Sequence, residues 1–439
     1  MEDAPRRYFE YVESRLNPAG VRRATLSLTP YVYDRQLEDR LRELTESYAE
    51  ILEFAFKNYE HDERIRGVLG YAGDLEEHLG RMTVYERNMA FARLDMFETK
   101  DGLRMVESNT ETPGGNEECT ALETGFLEFI GLEGVERRSR LEAVFGTLLD
   151  HYAVQMRHKG IAPAAKPCVN LITWNWDIDR IRGEYDVLID YIREQGCACD
   201  IIDPNELVFE GRDVLNPKTG RKVDLFYRRF TTDELPKQSN SGFELARLLN
   251  DSSAAVVNPF CTKRVDSKNI MVLIDDPAYR EVFPGAILPH VERISRVLPW
   301  TRKVAPAMTV AGREVDGRAY LSGNRTNLVV KEANSYSSVG VFIGEDHSPE
   351  EWEAVLDRAM GGDHLVQERI DLPTIAVRLF DGKAESSRAL IYNVNPYLFN
   401  GGYGGIYIRA SSDKLTSFKV GGVATVLPAF LAAADGAAP

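Results

Sequence analysis

Two short clusters, Arg93-Leu-Asp95 and Glu107-Ser-Asn109, put a guanidinium beside three side chains that can ligate through oxygen. Far along the chain, Val330-Lys331 opens into Glu-Ala-Asn-Ser-Tyr-Ser-Ser-Val-Gly340. The first pair suits a hard cation. The second offers an ammonium at the end of an apolar run, followed by a small-residue loop whose backbone N–H groups can cap phosphate oxygens. Together they point to nucleotide-dependent bond formation.

Asp95, Glu107 and Asn109 have no histidine or cysteine close by in sequence, which favours magnesium or manganese over zinc. Magnesium keeps substrate phosphates in its shell, so this donor set implies a nucleotide. The same residues also fit a salt-bridged hairpin in which Arg93 pairs with Glu107. Lys268 is a second candidate phosphate ligand beside Lys331, and Ser337 and Ser338 are the loop positions expected over the phosphates. No Gly-Lys-Ser/Thr follows a glycine-rich run, so the loop is not a Walker A element. Val366-Gln367-Glu368-Arg369-Ile370 has polar atoms at a strand end to read an adenine edge, with Ile370 and Val330 expected to sandwich its faces. Arg228 and Arg229 are adjacent on a strand, so at most one faces a substrate carboxylate; Arg228 is the one expected to do so. Thr112-Pro-Gly114-Gly-Asn116, just past the oxygen ligands, is expected to touch substrate through Thr112 and Gly114. Gly401-Gly-Tyr-Gly-Gly405 is either a site wall or a plain turn.

The elements that must position these groups are readable from periodicity. Leu37, Leu41, Leu44, Tyr48, Ile51, Leu52 and Phe56 predict a helix over 34–66. Tyr85, Met89, Phe91 and Leu94 carry the apolar pattern to Met96-Phe97. There Asp101-Gly102 predicts a hairpin, with Arg93, Asp95, Glu107 and Asn109 on one face of its paired strands. Val169-Asn-Leu-Ile-Thr, a helix over Glu184–Gln195, Cys199-Asp-Ile-Ile and Val223–Arg229 predict a βαβ unit with a parallel sheet. Helices are expected at Lys268–Leu273, His290–Leu298 and Pro349–Met360. Strands are expected at Leu328–Lys331, Leu365–Glu368, Ile391–Asn395 and Ile406–Arg409.

The chain has 439 residues, enough for more than one lobe, with 44% hydrophobic and 28% charged residues. A net charge of -15 argues against a partner presenting a nucleic-acid backbone. No apolar run reaches the ~18–20 residues of a spanning helix. The start lacks an apolar leader, and five scattered cysteines suit reduced thiols, so a cytoplasmic location is expected.

The order and spacing of these motifs resemble the circularly permuted ATP-grasp ligases, the group that includes glutathionylspermidine synthase. Arg93-x-Asp95 and Glu107-x-Asn109 look like that group's metal elements. Lys268, Lys331, the serine-rich loop and Gln367-Glu368 look like its ATP lysines, flexible loop and adenine hinge. Leu298-Pro-Trp-Thr-Arg302 also resembles a segment of relatives. The loop departs from the pattern in holding one glycine, Gly340. The resemblance covers about residues 80 to 410. It implies an α/β (α+β) chain with an ATP-grasp fold in permuted order. Its parts would be a helical N-terminal region over 1–80, metal-binding strands over 81–125, a βαβ pre-ATP-grasp lobe over 126–257 and a nucleotide-binding lobe over 258–439. The implied activity is ATP- and magnesium-dependent amide formation between a small-molecule carboxylate and an amine, amino acids or small peptides, with Arg93 catalytic. No nucleic acid or membrane partner is implied, and a homodimer is left open. The alternatives are a non-catalytic nucleotide-binding module and a small-molecule kinase.

Overall fold

The structure is a computed structural model that describes residues 4–18, 25–71, 73–335, 339–416 and 423–433. The candidate loop residues Ser337 and Ser338 lie outside the described residues. The chain is mixed α/β, with its strands gathered into several separate sheets.

The hairpin forms as its sequence demands. Strands Phe91–Thr99 and Gly102–Asn109 pair antiparallel around the Lys100-Asp101 turn. Their other neighbours come from the far end of the chain. Strand Glu385–Phe399 pairs with Thr374–Phe380 along its first half, with Gly402–Ser411 on one edge, and with Phe91–Thr99 along its second half. The hairpin and residues 374–427 therefore share one sheet. Its inner face is covered by helix Arg35–Asn58, which buries Leu41, Leu44, Tyr48, Ile51 and Leu52.

That helix stops short of the expected end at 66. The Asp62 side chain accepts the Arg64 N–H and begins a separate helix, Glu63–Leu69. An aspartate that bonds its own downstream backbone competes with helix continuation, which apolar spacing alone does not report.

Strands Ala255–Val257, Leu225–Arg228, Val169–Ile172 and Cys199–Ile202 lie side by side in that order, all parallel. The crossover helix starts well before Glu184, at Asn175, and bends at Ile181, where φ is -133°. Gly183 sits inside it at a close approach: a Cβ there would lie 2.4 Å from the Arg15 carbonyl oxygen. The glycine thus serves packing against the first helix rather than a helix end.

A four-stranded antiparallel sheet, ordered Thr301–Lys303, His364–Glu368, Leu328–Glu332 and Val341–Ile343, carries helix Pro349–Met360 on one face. Val330 and Val366 pack there against Trp352, Val355 and Leu356. Ser348 and Glu351 form a capping box with Pro349 at the first turn, matching the expected helix bounds. The expected helices near 268 and 290 run Ile270–Asp275 and Leu288–Ser295. All five cysteines are free. Among the described residues no helix is long and apolar enough to cross a membrane.

Candidate active site

A cavity of about 460 Å³ opens between the four-stranded sheet and the hairpin end of the large sheet. Arg93, Asp95, Glu107 and Asn109 all line it. The register explains why: Arg93 pairs with Asn109 and Asp95 with Glu107, after which pairing shifts to Met96 opposite Met105. That shift leaves Val106 as the extra residue of a bulge, a device that re-aims neighbouring side chains. Leu94 and Met96, on the opposite face, are fully buried in the core.

Arg93 does not pair with Glu107. Its Nε donates to Asp95 Oδ1 at 2.8 Å, and its Nη1 donates to the Gly114 carbonyl at 3.2 Å. Arg409, on strand Gly402–Ser411, donates from Nη2 to Asp95 Oδ2 at 2.7 Å. Burial alone would push the Asp95 carboxyl up, but the two guanidiniums outweigh it and hold it well below the usual range. Both arginines stand over the Tyr407 ring, at 5.5 and 5.8 Å. Glu107 pairs instead with Lys268, Oε1 to Nζ at 3.2 Å.

Lys331, next to last in its strand, points at the hairpin and donates to the carbonyl of the bulge residue Val106 at 2.8 Å. Burial, helped by Lys268, pulls the Lys331 ammonium down to about 8, while Glu107 and Asp95 oppose the shift. Lys268 also donates to the Ser335 carbonyl, where the small-residue loop begins. Two lysines and two carboxylates thus meet at the seam between the sheets.

The remaining sequence-predicted residues divide. Gln367, Glu368 and Ile370 line the cavity opposite the hairpin, with Val329, Val341, Ile343, Phe97 and Leu372 forming an apolar wall. Val330 is not part of that wall; it faces Trp352, and the alternation puts Val329 on the cavity side. The Gln367 side chain is buried and donates to Thr301 Oγ1 at 3.1 Å, so it shapes the strand end. Thr112 and Gly114 line the cavity.

Arg228 does not reach it. Fully buried, its Nη1 donates to Glu111 Oε1 and to the Phe230 carbonyl, both at 2.8 Å, and its guanidinium stacks on Phe260 at 4.6 Å. It forms a buried ion pair away from the cavity lining, unlike Thr112 and Gly114. Sequence reasoning passed over Arg409 and Arg180, both of which line the cavity. Arg409 carries the same signal that marked Lys331, a lone cation ending an apolar strand.

Asp95 and Glu107 supply two carboxylates and Asn109 an amide oxygen, while Asn109 Nδ2 is buried without a hydrogen-bond partner. Among the described residues no cluster of three histidine, cysteine or carboxylate side chains forms a self-sufficient metal site. Two carboxylates and an amide, short of a complete cage, fit magnesium that completes its shell from phosphates and water.

No protein-family model matches the sequence, and no curated protein matches it. The fold is similar to that of a glutathione synthetase-like effector from Globodera pallida, with a TM-score of 0.61 and 14% identity over 98% of this chain and 96% of that one. A Methylobacillus flagellatus protein provisionally named gamma-glutamylcysteine synthetase aligns at a TM-score of 0.44 and 12% identity, over 84% of this chain and 83% of that one. The first similarity places the chain among glutathione synthetase-like mixed α/β folds; the second carries no argument.

Proposed function

We propose that the chain is an ATP-dependent carboxylate–amine ligase of the ATP-grasp kind, acting through an acyl phosphate. The observation that carries this is the meeting of Asp95, Glu107 and Asn109 with Lys268 and Lys331, across a cavity closed by the apolar wall and the Gln367–Ile370 strand end. The glutathione synthetase-like fold supports the same class. In this reading the hairpin precedes the hinge in sequence yet shares a sheet with residues 374–427, the order a circular permutation produces. The sequence-derived division into a region over 1–80, strands over 81–125, a lobe over 126–257 and a lobe over 258–439 is kept as part of this proposal.

Val329, Ile343 and Ile370 would hold the adenine faces, and Glu368 would meet its edge. Lys331 and Lys268 would take phosphate oxygens. Asp95, Glu107 and Asn109 would hold magnesium, which would supply positive charge to the phosphates. The substrate carboxylate attacks the γ-phosphorus, giving an acyl phosphate and ADP. An amine then adds to the acyl carbon and phosphate leaves. Arg93 and Arg409 stabilise the negative charge that develops in both steps, and enclosure keeps water from the intermediate.

The test is ADP release with pairs of candidate amino acids under a magnesium titration, with product mass measured. An amide loses water relative to its precursors. A product heavier by HPO3 would identify a kinase, and nucleotide binding without turnover would identify a binding module. Absence of magnesium-dependent nucleotide binding would sink the proposal.

A further inference from the structure

One flank of the cavity carries polar groups that neither the nucleotide nor the cation uses. Arg180, Thr112, Thr231 and Gly114 line it. Arg180 sits in the first turns of helix Asn175–Glu194, ahead of the bend at Ile181. Its Nη2 donates to Asp177 Oδ1 at 2.6 Å, and the other Asp177 oxygen accepts from Tyr185 and from Thr173 Oγ1. Asp177, itself held by Tyr185 and Thr173, thereby anchors Arg180. Arg180 Nε is buried without a partner. Its guanidinium faces Trp176 at 5.6 Å, an aromatic ring left 47% exposed.

Behind Gly114 lies a second arginine. A Cβ on Gly114 would stand 3.3 Å from Arg229 Nη2. The Arg229 guanidinium is held between the rings of Tyr185 and Tyr227, at 5.5 and 5.1 Å. Its neighbouring carboxylate is Glu117, whose Oε1 lies 3.7 Å from Nη1, beyond hydrogen-bond reach. Both Glu117 oxygens and both ends of the Asn116 amide are buried without hydrogen-bond partners, although each residue is 1% exposed. Buried polar groups are ordinarily paired, so the open hydrogen-bonding capacity of Arg180, the one of these residues that lines the cavity, points to a polar occupant.

Resting on the ligase reading, we propose that this flank binds a carboxylate of an amino-acid or peptide substrate that the reaction does not consume. Arg180 supplies the principal contact, Thr112 supplies a hydroxyl donor, and Arg229 supplies positive charge from behind Gly114. The planar fork of Arg180 suits bidentate carboxylate recognition. The exposed Trp176 face covers the apolar part of such a ligand.

The experiment titrates the twenty L-amino acids and glycylglycine, each beside its carboxamide, into the full chain by calorimetry, with and without a non-hydrolysable ATP analogue and magnesium. At least one free-carboxylate compound is expected to bind and its carboxamide at least tenfold more weakly. Arg180→Gln should lose at least tenfold in that affinity while keeping the wild-type melting temperature and affinity for the ATP analogue. Arg180→Lys should recover little, because a point charge does not reproduce the fork. Equal binding of the carboxamide, unchanged binding by Arg180→Gln, or no binding by any compound to protein that takes up the analogue would each overturn the subsite. If the analogue fails to bind wild type, the ligase reading falls instead, and the titration without nucleotide still decides the subsite.

Discussion

Arg409 Nη2 lies 2.7 Å from Asp95 Oδ2, a contact between residues 314 positions apart in sequence. With Arg93 on the other carboxylate oxygen at 2.8 Å, it makes Asp95 the centre of a guanidinium–carboxylate–guanidinium triad on the cavity wall. Two chain segments supply that triad, on strands that both pair with Glu385–Phe399 in one sheet, so its geometry is set by strand pairing rather than by a loop.

Arg409 is therefore predicted to act on charge that develops in the reaction, not on nucleotide affinity. Arg409→Gln should lower turnover by about 10²–10³-fold, the scale seen when one oxyanion donor is removed. Affinity for an ATP analogue should move far less, because Lys331, Val329, Val341 and Ile343 belong to the other sheet. Arg409→Lys should rescue poorly. Calorimetry and steady-state rates on the same preparations decide the matter. Parallel loss of analogue binding and activity would make Arg409 a structural partner of Asp95.

The hairpin was legible because its information is local. Asp101-Gly102 marks the turn, and period-two alternation sends Arg93, Asp95, Glu107 and Asn109 to one face. The same logic found Lys331 and the Gln367–Ile370 strand end. What local pattern could not show is which cation faces which anion. In place of the alternative Arg93–Glu107 pair, the ion pairs are Arg93–Asp95 and Glu107–Lys268, since Lys268 and Arg409 arrive from segments with no sequence proximity to the hairpin. The placement of Arg228 outside the cavity lining has a related reason. Strand alternation predicts that adjacent arginines face opposite ways but not which way is inward; Glu111, buried beneath the strand end, draws Arg228 in and leaves Arg229 facing Gly114.

Lys331 is expected to serve nucleotide affinity and turnover together, since its ammonium meets phosphate in ground and transition states alike. Lys331→Ala should raise the apparent KM for ATP and lower kcat. Lys331→Met, which keeps most of the buried stem, should show the same kinetic loss without further loss of stability. Unchanged ATP dependence in both variants would assign Lys331 to holding the Val106 bulge alone.

Arg228 is expected to matter for stability and not for substrate. Glu111 accepts from Arg228 at 2.8 Å and from the Thr232 backbone at 3.1 Å, and it lies 3.6 Å from Lys263, with all of these side chains buried. Removing one member of such a buried pair leaves an uncompensated charge, a cost of about 3–5 kcal/mol. Arg228→Ala should show that loss in urea unfolding, with KM values for both substrates unchanged in the folded fraction. A selective rise in KM at wild-type stability would reinstate it as a substrate ligand.

Gly115 links backbone conformation to the triad, and its substitution gives the sharpest test of how the arginines are held. Its φ of +103° and ψ of -4° place it in the left-handed region at the start of helix Asn116–Gly125. A Cβ there would lie 2.9 Å from Tyr397 Oη and 2.9 Å from Tyr407 Cζ. Neither ring can retreat easily: both are buried on strands of the large sheet, Tyr397 donates to the Gly114 carbonyl at 2.6 Å, and Tyr407 donates to Glu118 at 2.9 Å. Because the Tyr407 ring underlies both Arg93 and Arg409, displacing it tilts both guanidiniums. Gly115→Ala thus carries a backbone cost of about 1–3 kcal/mol and an overpacking cost of about 1–3 kcal/mol. It should lower turnover at least tenfold while leaving analogue affinity nearly intact. Gly401→Ala is the matched control: φ is +86°, yet nothing stands within 4 Å of the added methyl group. That variant should show the backbone cost alone, with full activity. If the two variants lose stability equally and both retain wild-type turnover, the Tyr397–Tyr407 platform does not position the arginines.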